Sequence, residues 1–349
     1  MAFATTSRPR AAKVKGLLGL ATALSFGLAV TGCSAAEDGK GKEGSATEQL
    51  NIVATTNVYG DIASSVAGEH GKVSSIISNA AQDPHSYEAT AKDKLAISKA
   101  DVVIINGGGY DYFAEQIIED LGDKAPTVVK SFEGEGHSHD HGHDHGEEGH
   151  DHDHGEEGHD HDHGHEGHSH EHGENEHVWY DLDHMEEFVG EVGEALAKAD
   201  PDNAKTYEEN ASKLAKEISD VTDSEDFKAA EKKLKGKSFM MTEPVPEALL
   251  DELGMEDGTP EGLSSAVEAG QEIPALVIKR AEDSLKQGKV QLFAFNSQTA
   301  DPQTKKLYES ARKAGVPTVD VTETIPEGKT FVEWMKDNVA AIAKAVDAK

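Results

Sequence analysis

Short runs of apolar residues alternate with stretches in which apolar positions recur every three or four residues, starting at Leu50. Uninterrupted runs rich in valine and isoleucine are typical of strands buried on both faces of a parallel sheet. The alternation therefore predicts an α/β protein with two Rossmann-like lobes, each a parallel sheet flanked by helices. The apolar runs are Leu50–Ala54, Val73–Ile77, Val102–Ile105 and Thr127–Val129 in the first half, and Ser238–Met241, Ala275–Ile278, Val290–Phe295 and Thr318–Val321 in the second.

One long, rigid connector helix is predicted between the lobes, over residues 201–226. Asp200 is a suitable N-cap, and Pro201 suits the first turn. The apolar positions that follow are spaced by four and three residues, so they form one stripe that faces a core. We therefore expect an N-terminal lobe over 50–200 and a C-terminal lobe over 227–349. The stripe consists of Tyr207, Ala211, Leu214, Ile218 and Val221.

The N-terminus has the pattern of a secretory signal. Four basic residues precede an apolar run, 16–30, that is too short for a comfortable membrane span. The run ends at Cys33 in a sequence, Val-Thr-Gly-Cys, that resembles the lipobox of bacterial lipoproteins. We expect a signal peptide over 1–32, lipidation of Cys33, a flexible tether over 33–49 and anchoring to the outer face of the cytoplasmic membrane. The alternative is an ordinary signal peptide with an incidental cysteine.

Charge and cysteine content exclude several classes of protein. The formal charge is −33, and removal of residues 1–32, which carry four basic groups and no acid, makes it −37. Nucleic-acid partners are not expected, because phosphate binding needs clustered lysine and arginine. Cys33 is the only cysteine, so an intrachain disulfide and a cysteine-based zinc site are both excluded.

A histidine-rich stretch interrupts the predicted N-terminal lobe over residues 133–176. It holds 15 of the 19 histidines and 16 acids without any lysine or arginine, and one nine-residue unit occurs twice, at 147–155 and 156–164. Such a composition has too little apolar surface for a core, so we expect disorder without metal. The carboxylates can accept hydrogen bonds from imidazoles that bind metal. Replication slippage without functional consequence is the alternative.

Three side chains in ordered loops are candidate metal ligands. His85 follows a predicted strand in a turn with Asp83 and Pro84, His177 marks the return to an apolar pattern, and Glu243 ends another strand. Ligands of open α/β sheets bind beyond the carboxyl ends of the strands. Each residue also has a simpler interpretation: a surface histidine, the last member of the histidine run, or a carboxylate at a helix N-terminus.

Taken together, these motifs resemble the zinc/manganese substrate-binding lipoproteins of bacterial ABC importers, from about Leu50 to the C-terminus. The resemblance implies a cleft between two lobes that binds one metal ion with side chains from both. The motifs are Asp83-Pro-His-Ser-Tyr-Glu-Ala-Thr90, Ala100-Asp-Val-Val-Ile-Ile-Asn-Gly107, His177-Val-Trp-Tyr-Asp181, Thr242-Glu-Pro-Val245, Asn296-Ser-Gln-Thr299, Ala314-Gly-Val-Pro317, Val321-Thr-Glu-Thr-Ile-Pro-Glu-Gly328 and Trp334-Met335.

The resemblance assigns the ligands residue by residue. His85 and His177 match the two imidazole ligands of the N-terminal lobe, and Glu243 matches a third position that is histidine in many zinc-binding members. The fourth position, after the strand Val290–Phe295, is often an acid, but no acid is in register here. Asp301 is the nearest carboxylate; the amide oxygen of Asn296 and a water are the alternatives.

The predicted function is that of a monomeric receptor, not an enzyme, that delivers Zn(II) to an ABC permease and, through it, to the ATPase. Imidazole affinity is higher for zinc than for manganese, so the histidine stretch favours Zn(II), whereas Glu243 mildly favours Mn(II). An extracytoplasmic zinc hydrolase is the second hypothesis, although the chain has no His-Glu-x-x-His motif. The third is a metal buffer that acts through the histidine stretch alone.

Overall fold

The computed structural model describes residues 49–79, 81–134 and 175–347. The predicted signal peptide, Cys33, the tether and nearly all of the histidine stretch lie outside the described residues. Within the described ranges, no helix combines the length and the apolar character needed to cross a bilayer.

The N-terminal lobe is built on a four-stranded parallel sheet with the order β2-β1-β3-β4. The central strand β3 is buried along its whole length, as its continuous valine and isoleucine run requires, whereas the edge strand β2 is partly exposed. Strand order reverses between β1 and β3, which places a binding crevice at their carboxyl ends. The elements are β1 (Leu50–Thr56), α1 (Asn57–Ala67), β2 (Gly71–Ile77), α2 (Ala91–Ser98), β3 (Val102–Gly107), α3 (Tyr112–Leu121), β4 (Thr127–Phe132) and α4 (Leu182–Ala199).

The long helix between the lobes is α5 (Ala204–Thr222), and a shorter helix, α6 (Glu225–Leu234), follows it. A 3-10 turn over Pro201–Asn203 precedes α5, and the Asp200 carboxylate accepts hydrogen bonds from Asn203 (2.7 Å) and from the Tyr207 hydroxyl (2.8 Å). The predicted apolar stripe of α5 is buried throughout. Helix α4 packs closely on it, because a Cβ at Gly193 would lie 2.6 Å from the Ala211 Cβ.

The C-terminal lobe repeats the architecture with the strand order β6-β5-β7-β8, again all parallel. The order reverses between β5 and β7, so the carboxyl ends of these strands form a second crevice. The elements are β5 (Ser238–Met241), α7 (Glu247–Glu252), β6 (Glu256–Asp257), α8 (Leu263–Glu268), α9 (Ala275–Lys286), β7 (Leu292–Asn296), α10 (Pro302–Lys313), β8 (Thr318–Val321) and α11 (Phe331–Asp347).

The structure confirms the predicted fold class and corrects one strand. Ala275–Ile278 is the first turn of α9, and the fourth strand of the second sheet is the two-residue β6. Val277, Ala281 and Leu285 form a buried stripe with helical spacing, and a run of four apolar residues cannot by itself separate a strand from such a helix.

Direct contacts join the lobes on the side of the strand ends. The Asn57 side chain exchanges two hydrogen bonds with the backbone of Ile325 (2.8 and 3.0 Å), and Gln298 donates to the carbonyl of Gln82 (2.8 Å). One hydrophobic core contains residues of both lobes. The loops that follow the strands of the two sheets therefore meet across a cleft.

Candidate metal site

His85 reaches the cleft from the loop between β2 and α2. The Asp83 carboxylate holds this loop by accepting from the His85 backbone N–H (3.0 Å) and from the Ser86 hydroxyl (2.7 Å), an Asx turn consistent with the Asp-Pro sequence. The imidazole Nδ1 lies 3.1 Å from Glu176 Oε1, and Nε2 lies 3.6 Å from Glu323 Oε2. His85 thus faces one carboxylate from each lobe.

His177 lies directly before a 3-10 turn over Val178–Tyr180 and is 1% exposed. The Asn175 side chain fixes it twice, accepting from the His177 backbone N–H (3.0 Å) and contacting Nδ1 (2.8 Å). The imidazole rings of His85 and His177 are 5.5 Å apart between centroids, and both contact the ring of Tyr110. The two histidines predicted from the sequence are therefore neighbours.

Both imidazoles have the arrangement of metal ligands before metal binding. In each ring Nδ1 is engaged by an oxygen, whereas Nε2 is buried without a hydrogen-bond partner. In a neutral imidazole, a partner on one ring nitrogen fixes the tautomer and leaves the lone pair of the other nitrogen for a metal; His85 offers this lone pair once it has lost its proton. A buried polar atom without a partner costs free energy, so the two Nε2 atoms need an occupant.

The C-terminal lobe contributes polar side chains from three neighbouring strand ends. Glu243 follows β5, Asn296 ends β7 and Glu323 follows β8; the three are 3, 1 and 0% exposed. The Asn296 amide donates to Glu243 Oε2 (2.6 Å) and to Glu323 Oε1 (2.7 Å), and the Thr299 hydroxyl also donates to Glu243. One amide group therefore holds two buried carboxylates beside each other.

Burial and charge set the protonation of the site. Burial lowers the pKa of His177 well below its ordinary value, which keeps this imidazole neutral. Burial also lowers the pKa of His85, but the hydrogen bond to Glu176 and the charge on Glu323 outweigh it and bring the pKa to about 9. Burial raises the pKa of Glu323 to about 7 and that of Glu243 above its usual value. A divalent cation would replace the proton on His85.

Two further carboxylates lie at the mouth of the site. Glu176 pairs with His85, and Glu268, at the end of α8, lies 3.8 Å from His177 Nδ1. Among the described residues, His85, His177 and Glu268 form a group whose metal-capable atoms all lie within 4.8 Å of one another. Burial raises the pKa of Glu268 to about 7, and the charge of Glu176 adds to this effect.

The ligands predicted in the C-terminal lobe lie in different surroundings. Glu243 lies in the cleft, whereas Asp301 is the N-cap of α10, and its Oδ1 accepts from the Thr304 backbone (2.7 Å) and hydroxyl (2.8 Å). Asn296 presents its amide nitrogen, not its oxygen, to the site, because the oxygen accepts from the Gln298 backbone (3.0 Å). Among the described residues, no contact therefore joins a side-chain oxygen of Asp301 or Asn296 to either cleft histidine.

Sequence reasoning missed Glu323, Glu268 and Glu176. The signal for Glu323 was present, since it follows a strand of the second sheet just as Glu243 does. Glu268 ends the six-residue helix α8, and the strand before it, β6, has only two residues and no apolar run, so no pattern pointed to it. Glu176 was counted among the acids of the histidine stretch, although it is held in place by its contact with His85.

Comparison with known proteins gives a family match over most of the chain. The family model described as ZnuA, "Zinc-uptake complex component A periplasmic", matches residues 52–345. The manganese ABC transporter substrate-binding lipoprotein scaA of Streptococcus gordonii is 26% identical over 337 residues, covering 91% of this chain and 96% of that protein.

Solved structures of similar fold cover most of the chain at low identity. The periplasmic zinc-binding protein TroA of Treponema pallidum has a TM-score of 0.65 at 17% identity, covering 85% of this chain and 99% of its own. Zn(II)-bound AdcA of Streptococcus pneumoniae has a TM-score of 0.60 at 19% identity, covering 86% of this chain and 58% of its own. These likenesses establish the fold of two parallel sheets flanked by helices.

Proposed function

The chain belongs to the ZnuA family and is a metal-binding receptor of an ABC importer rather than an enzyme, and from this premise we propose that its cargo is Zn(II). His85, His177 and Glu243 bind the ion in the cleft, and the loaded receptor delivers it to a permease and its ATPase. Since the ligands come from both lobes, metal binding favours the closed arrangement of the cleft, and the permease can distinguish loaded from empty receptor.

The observation that carries this proposal is the pair of buried Nε2 atoms of His85 and His177, which have no hydrogen-bond partner within the described residues. Two neutral imidazoles and oxygen ligands suit a divalent first-row cation. Sites of this composition bind zinc more tightly than manganese, as the general order of metal affinities requires. The 15 histidines of the adjacent stretch add a second preference for zinc in the same chain.

A manganese receptor is the second candidate. The cleft is rich in buried carboxylates, because Glu243 and Glu323 both face it, and oxygen ligands suit manganese. The similar scaA of Streptococcus gordonii is named as a manganese lipoprotein. The relative affinities for zinc and manganese in solution do not distinguish the two candidates, because zinc is favoured in either case. A measurement of which metal is transported does distinguish them.

Metal uptake in cells tests the proposal. Deleting the gene from its own bacterium should reduce uptake of radioactive zinc at low external concentration and leave manganese uptake unchanged. The wild-type chain should restore zinc uptake, whereas the His85→Ala chain, expressed to the same level, should not. Loss of manganese uptake alone would identify manganese, and not zinc, as the cargo. Unchanged uptake of both metals would contradict a role in transport.

The similar lipoproteins imply a membrane-anchored extracytoplasmic location, and we propose that Cys33 carries the lipid. Lipoprotein acylation supplies several acyl chains, which anchor stably where one chain binds only marginally. Cys33→Ser should therefore move the protein from the membrane fraction to the soluble fraction, whereas the neighbouring Ser34→Ala should remain at the membrane. Retention of Cys33→Ser at the membrane after washing with high salt would contradict lipidation at this position.

A further inference from the structure

We propose that Tyr110 strengthens the preference of the cleft for Zn(II) over Mn(II), although it is not itself a metal ligand. Its ring supports the imidazoles of His85 and His177, and its hydroxyl holds the carboxylate of Glu323 from the opposite lobe. Tyr110 is therefore a positioning residue that limits how many oxygen atoms can reach a bound ion. This inference rests on the proposed function of the cleft as the site of the cargo metal.

A turn of three glycines at the end of β3 carries the chain to Tyr110. Gly107, Gly108 and Gly109 all have positive φ (87, 65 and 96°), a conformation that residues with a Cβ rarely adopt. A Cβ on Gly108 would also lie 2.4 Å from the ring of Phe132. The backbone N–H of Tyr110 donates to the Gly107 carbonyl (3.2 Å), which closes the turn. The local sequence therefore folds the chain back, and Tyr110 is buried.

The buried carboxylate of Asp111 fixes this turn. It accepts hydrogen bonds from the backbone N–H groups of Asn106 (2.7 Å) and Gly107 (2.9 Å) and from the Thr55 hydroxyl (2.6 Å). Such a carboxylate is held firmly, because hydrogen bonds to a charged acceptor are about twice as strong as those between neutral groups. Tyr110, the residue before it, is therefore held in place by the protein itself rather than by a metal.

The ring of Tyr110 occupies the space beside both imidazoles. Its centroid lies 4.9 Å from that of His85 and 5.8 Å from that of His177, in edge-to-face contacts. Trp179 lies 4.8 Å from the same ring, and both of these aromatic side chains are almost completely buried. Closely packed rings leave no room for water on this side of the imidazoles. A bound ion therefore cannot gain a water ligand from this direction.

The hydroxyl of Tyr110 reaches across the cleft to the other lobe. It donates to Oε2 of Glu323 (3.1 Å), and the Asn296 amide donates to Oε1 (2.7 Å). The same Oε2 lies 3.6 Å from Nε2 of His85, so it is next to an ion bound at that nitrogen. Because each oxygen accepts from a fixed donor, the carboxylate cannot turn to present both oxygens to the ion.

Both effects favour zinc over manganese. Zinc is stable with four ligands in a tetrahedral site, whereas manganese suits an octahedral site of oxygen ligands. A manganese ion would need further oxygens, from water or from a carboxylate that binds through both of its oxygens. The ring of Tyr110 excludes the first source, and its hydroxyl excludes the second. The cleft can therefore contain the buried carboxylates of Glu243 and Glu323 and still prefer zinc.

Two substitutions separate the roles of the hydroxyl and the ring. Tyr110→Phe keeps the ring and removes the donor, so the affinity for Zn(II) should fall about 10-fold, as is typical for the loss of an outer hydrogen-bond partner. The affinity for Mn(II) should not fall, because the freed carboxylate can offer its second oxygen. Tyr110→Leu also opens space for water, so the ratio of the two affinities should shift further towards Mn(II). Each affinity is measured on the metal-free mature chain with one equivalent of that metal alone and a competing chelator.

The absorption spectrum of bound Co(II) reports the coordination number. A four-coordinate Co(II) site absorbs visible light strongly and a six-coordinate site weakly, so the bands of Tyr110→Leu should be weaker than those of the wild type. Tyr207→Phe is the matched control, because this hydroxyl also donates to a carboxylate, that of Asp200 (2.8 Å), near the start of α5 and outside the cleft. Its affinities and its Co(II) spectrum should equal those of the wild type.

The outcomes distinguish this inference from the proposed function. An unchanged ratio of Zn(II) to Mn(II) affinity in both Tyr110 variants, an equal loss for both metals, or the same shift in Tyr207→Phe would overturn the inference. Tyr110→Phe keeps the packing of the ring, so its ratio decides the matter if Tyr110→Leu does not fold. The cleft remains the metal site in each of these cases if His177→Ala loses tight binding. If His177→Ala binds both metals as the wild type does, the proposed function itself fails.

Discussion

Replacing His177 by alanine should abolish tight metal binding to the cleft while leaving the weaker binding of several ions to the histidine stretch. Structural zinc sites bind with about 10–16 kcal/mol, so each of four ligands accounts for about 2.5–4 kcal/mol. That energy corresponds to a loss of about 100- to 1,000-fold in affinity per ligand. His85→Ala should have a similar effect, because each imidazole presents one free Nε2 to the site.

Isothermal titration calorimetry on a chain that lacks residues 135–174, and so keeps Asn175 and Glu176 beside the cleft histidines, measures this loss without interference from the stretch. His70→Ala is a matched control, since His70 ends the 3-10 turn directly before β2, where its ring packs against Tyr207. Circular dichroism should show that all variants keep the fold. Tight binding that survives either cleft substitution would contradict the assignment of the imidazole ligands.

The N-terminal ligands could be predicted from the sequence because local patterns determine them. A strand followed by Asp83 and Pro84 requires a turn at a strand end, and this turn places His85 at the cleft. His177 is similarly followed by two aromatic residues, Trp179 and Tyr180, which are almost completely buried and return the chain to the core. In both cases the element boundary and the ligand are close in sequence.

The place of Glu323 in the cleft could not be predicted in the same way, because its neighbours are distant in the chain. Asp301, Pro302 and Thr304 form a helix-start signal, and the structure shows a capping box there. Glu323 is held in the cleft by hydrogen bonds from Asn296 and Tyr110, which are 27 and 213 positions away in the chain. Only the folded chain brings these groups together, so sequence spacing favoured the nearest acid instead.

The pairing of acids with imidazoles also determines how the cleft responds to pH. Without metal, the pKa of His85 is about 9 and that of Glu323 about 7, whereas His177 stays neutral. Because an imidazole must lose its proton to bind a metal, a cation displaces the proton of His85, and the affinity of the cleft falls by at least about 10-fold for each pH unit below pH 7. An ion held by three or four histidines of the stretch loses about 1,000-fold or more per unit below pH ~6.5.

Zinc-loaded protein should consequently release its metal in two steps as the pH is lowered from about 7 to about 5. Many ions should leave the histidine stretch first, and one ion should leave the cleft last, because four fixed ligands bind more tightly at neutral pH and lose affinity less steeply. Dialysis at each pH followed by metal analysis gives the number of ions retained. Deleting 135–174, which keeps the Asn175 and Glu176 contacts to the cleft histidines, should remove the first step alone. His177→Ala in the full chain should remove the second alone. Release of all zinc in one step, or retention by the stretch after the cleft has emptied, would make the stretch the principal site, and the protein would then act as a metal buffer rather than as a transport receptor.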